Sequence, residues 1–194
     1  MAISVVNIEE YIAPGRVFVD AVVPAPLASV GDTISADGVP SGGIDVGATS
    51  GEAFFRYSAT VEGVDIEQAT SPVAPHVVAE EATLEFTVAE ATAENLKRAI
   101  GQGFLRSAAS GKVISFGGLT SVTGTSVCIV AERKKTPGKF FGAMLYCAYN
   151  EAGLERRFKR GEATLVSMTF RATVTEDLLK RPEGDQLGQV FYTE

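Results

Sequence analysis

Within Glu81-Ala82-Thr83-Leu84-Glu85-Phe86-Thr87-Val88-Ala89, polar and apolar side chains alternate without a break from Glu81 to Val88. Successive side chains of a strand leave opposite faces, so Ala82, Leu84, Phe86 and Val88 project one way and Glu81, Thr83, Glu85 and Thr87 the other. A strand with one greasy face and one wet face belongs to a half-covered antiparallel sheet. Upstream, Ala53 to Val61 alternates too, with Phe55, Tyr57, Ala59 and Val61 on one face. Glu62-Gly63 then predicts a bend, and Val64 to Ala69 the start of a partner strand. Gln68 to Val78, with Pro72 and Pro75, reads as a long exposed loop.

Downstream, the period changes. Thr92 can cap a helix by accepting a first-turn N–H. Glu94 near its start and Lys97 and Arg98 near its end suit the helix dipole. Ala93, Leu96 and Ile100 fall on one side, and Gly101 and Gly103 end it. About nine residues are too few to be helical alone, so this helix must pack on the sheet.

The second half returns to strands. Thr125 to Glu132 is apolar, and Arg133-Lys134-Lys135-Thr136-Pro137-Gly138-Lys139 is a basic turn. Phe140 to Tyr149 is apolar on both faces, which predicts cover on both sides. Leu154 to Arg160 carries Arg156, Arg157, Lys159 and Arg160. Thr164 to Val174 alternates, with Val166, Met168, Phe170, Ala172 and Val174 inward. Residues 1–45 show one short strand, Arg16 to Val23, within an extended arm, and residues 176–194 read as a polar tail. The expectation is one mainly β domain over residues 1–194, built from two packed antiparallel sheets, sandwich-like or barrel-like, with one short flanking helix.

Composition narrows the function. The chain has 194 residues, 45% hydrophobic, with 20 glycines and 8 prolines, enough for one sizeable core with frequent turns. It has no apolar run long enough for a membrane span and no signal-peptide pattern at its start. The net charge of −7 argues against wrapping nucleic acid. That charge is unevenly spread. Residues 1–96 hold 15 acids and 2 bases, net −13, and residues 97–194 hold 9 acids and 15 bases, net +6. Opposite halves can neutralise each other within one fold or meet across copies in a head-to-tail contact.

No catalytic set emerges. His76 is the single histidine, no serine sits in a G-x-S-x-G elbow, and Gly101-Gln102-Gly103 follows a helix and is succeeded by Arg106, unlike a dinucleotide fingerprint. Cys128 and Cys147 have no zinc spacing. Two buried thiols are the plain reading, and a disulfide between neighbouring strands stays open. No cofactor is expected.

The order of parts resembles the tail tube proteins (major tail proteins) of long-tailed bacteriophages. Val46-Gly47-Ala48-Thr49-Ser50-Gly51-Glu52-Ala53-Phe54 is similar to that family's lead-in to its first main strand, and Val64-Asp65-Ile66-Glu67-Gln68 to its next strand. Glu80-Glu81-Ala82-Thr83-Leu84-Glu85 followed by Ala91-Thr92-Ala93-Glu94-Asn95-Leu96 resembles the strand that runs into its helix. Arg181-Pro182-Glu183-Gly184-Asp185-Gln186-Leu187-Gly188 resembles its C-terminal end.

The resemblance covers roughly residues 45–190 and implies a non-enzymatic virion protein, assembled in the host cytoplasm. Six copies would form a ring whose sheets join into one inner barrel. Rings would stack into a hollow tube that houses the tape measure protein, meets tail terminator and baseplate or tip proteins, and passes DNA without sequence preference. The tubes of contractile injection and type VI secretion systems share that fold. Within this frame Glu62, Glu67, Glu81 and Glu85 are lumen candidates. Gln68, Thr70, Ser71, Pro72, Val73, Pro75 and His76 are candidates for a loop reaching the next ring. Arg133, Lys134, Lys135, Phe140, Met144, Tyr146, Arg156 and Arg157 are inter-subunit candidates. The competing reading is a non-catalytic β-sandwich binding module, such as a virion decoration, adhesin or carbohydrate-binding domain; the absence of tryptophan weighs against it.

Overall fold

The alternating stretch at Glu81 lies in the longest strand of a mainly β, sandwich-like fold. The computed structural model describes residues 15–64, 73–101, 103–118, 124–133, 136–155 and 165–193. Its strands are β1 Arg16–Val19, β2 Ile44–Asp45, β3 Phe54–Val64, β4 Val73–Val88, β5 Phe104–Ala108, β6 Gly111–Ser115, β7 Thr125–Glu132, β8 Phe140–Asn150, β9 Val166–Ala172 and β10 Gly188–Tyr192. Helix α1 spans Ala93–Ile100 and the one-turn α2 spans Glu176–Leu179. The main sheet runs β2-β1-β7-β8-β9-β4-β3, with β10 also on β8; β5 and β6 form a separate hairpin. Every pairing is antiparallel.

Strand β8 is where the sheet divides into two layers. β10 pairs with its first half, Phe141 to Leu145, and β9 with its last residues, Ala148 to Asn150. Val17, Val19, Val127 and Leu145 thereby meet Leu84, Phe86, Met168 and Phe170 in one core. The Phe86 and Phe170 rings stack at 5.8 Å. The segment after β2 ties the layers at one corner: Val46 N donates to Val17 O at 3.0 Å, and Ala89 N to Ala48 O at 2.8 Å.

A second core lies on the outer face of β1, β7 and β8. It joins Phe18, Cys128, Met144 and Tyr146 to Val30, Leu178 and Phe191. Phe140, Met144 and Tyr146, expected to await a neighbouring subunit, are therefore covered by their own chain, at 7%, 0% and 3% exposure. The double-sided apolarity of β8 was a sound signal of two covers, and the arm and C-terminal segment supply the second one.

Several element boundaries differ from the sequence expectations. β1 stops at Val19 and not at Val23, because Asp20 turns the chain with φ 58°. β3 runs through Glu62-Gly63 without the predicted bend, pairing Glu62 with His76. β4 begins at Val73, so Val73, Pro75, His76, Val77 and Val78 are strand and not loop. The prolines hid this; Pro75 is tolerated because the ladder shifts register between Glu62 and Val64. The polar tail holds α2 and β10, each burying a single apolar side chain, Leu178 and Phe191, too thin a pattern to read as an element. The β5–β6 hairpin fills a stretch to which no periodicity assigned an element.

Helix α1 matches its expected bounds. Thr92 Oγ1 accepts from Asn95 N at 3.2 Å, and Gly101 ends the helix with φ 74°. Its buried face is centred on Asn95 and Ala99, with Leu96 packed beside them. Asn95 is tolerated there because its Nδ2 donates to Val46 O at 2.7 Å and Glu90 O at 3.0 Å. No helix among the described residues is long and apolar enough to cross a membrane.

Candidate assembly surface

The β3–β4 hairpin outgrows the core. At its base Phe55 packs half-buried against the first core, but beyond it Tyr57, Val61, Val77 and Val78 are 55%, 57%, 54% and 44% exposed. The alternation that predicts a buried face for Tyr57, Ala59 and Val61 is present, yet Tyr57, Ala59 and Val61 are exposed, with no cover there among the described residues. Among the described residues β3 has a strand on one edge only, and so does β10. β3 therefore presents eleven residues of edge backbone, flanked by apolar side chains. Soluble chains usually protect such edges with charge, proline or short length.

Glu81 and Glu85 do lie on the face of β4 opposite the core. Each has an arginine. Arg171 reaches Glu81 at 3.4 Å and Glu151 at 3.3 Å, and Arg56 reaches Glu85 at 3.4 Å. That face thus carries interleaved charge and not a bare acidic strip. All these side chains are well exposed, so each pair contributes at most about 1 kcal/mol. Glu62 is exposed near the hairpin's far end. Glu67, Gln68, Thr70, Ser71 and Pro72 lie outside the described residues, as do Lys134, Lys135, Arg156 and Arg157. Pro75 and His76 are exposed on β4, and Arg133 is half-buried where Arg133 N donates to Lys139 O at 2.8 Å.

The opposite-charge halves of the chain meet partly within the fold. Arg171 to Glu81, Arg98 to Asp20 at 3.9 Å, and Lys112 to Glu94 all join the basic half to the acidic one.

Between β3 and β10 the two layers part, leaving an apolar groove of about 330 Å³ lined by Ala53, Phe55, Ile129, Phe141, Ala143 and Val190, with Gly15, Ala131 and Gly142. A second cleft of about 250 Å³ adjoins it on the other side of Phe55, and Glu80 and Gln186 give that one a polar wall.

One polar cluster escaped the sequence analysis. Asp185, on the segment before β10, accepts from Tyr146 Oη at 2.5 Å, from Leu27 N at 2.9 Å and from Arg181 at 2.8 Å. Arg181 lies over the Tyr146 ring at 4.5 Å and also donates to Pro24 O. Gln189 completes the cluster, donating to Tyr146 Oη at 3.0 Å and accepting from Val30 N at 3.2 Å. Burial works to raise the Asp185 pKa. The Tyr146 and Leu27 hydrogen bonds and the Arg181 charge outweigh it, so the carboxyl sits below its ordinary value. Burial and the bond to Asp185 push the Tyr146 phenol up. The cluster straps the arm to β8 and the C-terminal segment. Its only trace in sequence is the Arg181/Asp185 spacing in a stretch that reads as tail.

Cys128 and Cys147 are free thiols. Cys128 stands opposite Met144 on β8, not opposite Cys147, and burial pushes its thiol up to about 12.

Compared with known proteins, the chain matches no family model and no curated protein.

Proposed function

We propose that the chain is a structural virion subunit that self-assembles into hexameric rings, stacked as a hollow tail tube. The observation that carries this reading is the β3–β4 hairpin: a long sheet edge, apolar on its flanks, extended past the core, with no partner strand on its outer side among the described residues. Sheet addition between copies would satisfy that edge and cover Tyr57, Val61 and Val77. The resemblance of the strand–helix order to tail tube proteins supplies the ring and tube. In that setting the tube houses the tape measure protein, is closed by tail terminator and baseplate or tip proteins, and lets DNA pass into the host without base contacts. The chain performs no chemistry in this reading. Electron microscopy of the purified protein tests it: rings or tubes are expected, and a persistent monomer would favour a β-sandwich binding module instead.

A further inference from the structure

Glu80 breaks the pattern of its own strand. Even-numbered residues of β4 turn toward the core, where Ala82, Leu84, Phe86 and Val88 are buried. Glu80 continues that row beyond the core. It stands opposite Ala59 in the ladder and lines the cleft beside Phe55, where Tyr57 Oη donates to it at 2.5 Å. Around it the exposed Tyr57, Val61 and Val77 make an apolar face with one negative charge. Glu81 and Glu85, on the opposite face, each have an arginine; Glu80 has no cation paired with it among the described residues.

The β5–β6 hairpin carries the inverse pattern. Its ladder sets Phe104 opposite Ser115 and Arg106 opposite Val113, so these four share one face. The other face meets α1, where Lys112 pairs with Glu94. On the first face Phe104 is 66% and Val113 47% exposed. Arg106 lies beside both and donates to Ser115 Oγ at 2.8 Å, and no acid among the described residues pairs with it.

We propose that these two faces meet between copies: the β5–β6 hairpin of one chain docks on the β3–β4 overhang of the next, with Arg106 placed against Glu80. The occupant follows from charge complementarity. Each face is apolar around a single charge that has no counter-charge among the described residues, and the two charges are opposite. Burying either one unpaired is costly, so each face admits only a partner that brings the matching charge. An inward-pointing charge beside a free edge also prevents indiscriminate strand pairing. Glu80 lies in the acidic half of the chain and Arg106 in the basic half, so this contact is a place where the halves attract across copies. The faces belong to different elements, so the contact is heterologous and propagates from subunit to subunit. This inference rests on the self-assembly reading and names the pairing that covers the hairpin's apolar face.

The test is charge exchange. Assembly is read by sedimentation and electron microscopy, and folding by the thermal midpoint. Glu80→Arg and Arg106→Glu both alter exposed side chains, so each should keep the midpoint within about 3 °C. Either variant alone sets like charges against each other and should need at least roughly tenfold more protein to assemble. Glu80→Gln still accepts from Tyr57 and removes only the charge, so it should fall between Glu80→Arg and the wild type. An equimolar mixture of Glu80→Arg and Arg106→Glu chains restores opposite charges at every contact. It should assemble like the wild type, with the two chains alternating. If the wild type assembles and the mixture does not, or if Glu80→Arg alone assembles as readily as the wild type, the contact is overturned and the tube reading stands. A wild-type chain that stays monomeric at every concentration removes both.

Discussion

The Tyr146 hydroxyl donates to Asp185 Oδ1 at 2.5 Å, joining two residues 39 positions apart in the chain. Tyr146 belongs to a central strand and Asp185 to a stretch that reads as tail, so this bond fixes the C-terminal segment and the arm together onto the second core. Replacing Asp185 with Asn leaves Arg181, 8% exposed, without its counter-charge. The variant should lose about 3 kcal/mol of stability in denaturant unfolding. Tyr146→Phe should lose about 2 kcal/mol, and the double variant less than the sum, because both act on one cluster.

The same carboxylate sets part of the acid limb. Its folded pKa lies below the ordinary 3.8. A depressed carboxylate contributes stability that is complete above the unfolded value and disappears as pH falls through the folded one. Wild-type stability should therefore fall more steeply below about pH 4 than that of Asp185→Asn. Parallel acid limbs would show that Asp185 contributes nothing there.

Close backbone approach makes glycine irreplaceable on β8. A Cβ on Gly142 would meet Ile129 O at 2.0 Å, whereas one on Gly138 would meet nothing within 4 Å. Gly142→Ala should cost about 3 kcal/mol. Gly138→Ala, strained only by its φ of 79°, should cost about 1 kcal/mol. Equilibrium unfolding of both variants distinguishes the two causes.

The thiols should differ in native protein at pH 8. Cys147, half-buried, should react with a maleimide first. Cys128, fully buried with its thiol pushed up to about 12, should react only when the chain unfolds. Equal rates for the two would mean that the second core opens readily.

Stability and assembly should separate on the hairpin. Leu84→Ala, at a fully buried site, should cost about 3 kcal/mol. Val77→Asp, at a site 54% exposed, should change monomer stability by less than about 0.5 kcal/mol while abolishing assembly. A Val77→Asp chain that still builds rings would remove the β3–β4 hairpin from the interface.

How much of this was legible in sequence depended on pattern strength. Glu81 to Ala89 reported its own burial, since Ala82, Leu84, Phe86 and Val88 are all buried in one core. Thr92 and Gly101 marked the ends of α1 because caps are local chemistry. β8 announced two covers but could not say that Val30, Leu178 and Phe191 supply the second, because that depends on long-range folding of the arm. β10 and the start of β4 were missed for opposite reasons. One buries a single aromatic among polar residues, and the other carries Pro75 at a register shift. Alternation puts Glu81 and Glu85 on the face opposite the core, where they lie, but the pattern of one strand could not reveal the neighbouring Arg171 and Arg56. The Asp185 cluster joins residues from three separate stretches, and nothing local signals it.

The most direct test is electron microscopy of the purified chain across concentration and salt. Hexameric rings or tubes are predicted, weakened in high salt if the acidic and basic halves attract across copies. Single particles of monomer size under every condition would contradict the account.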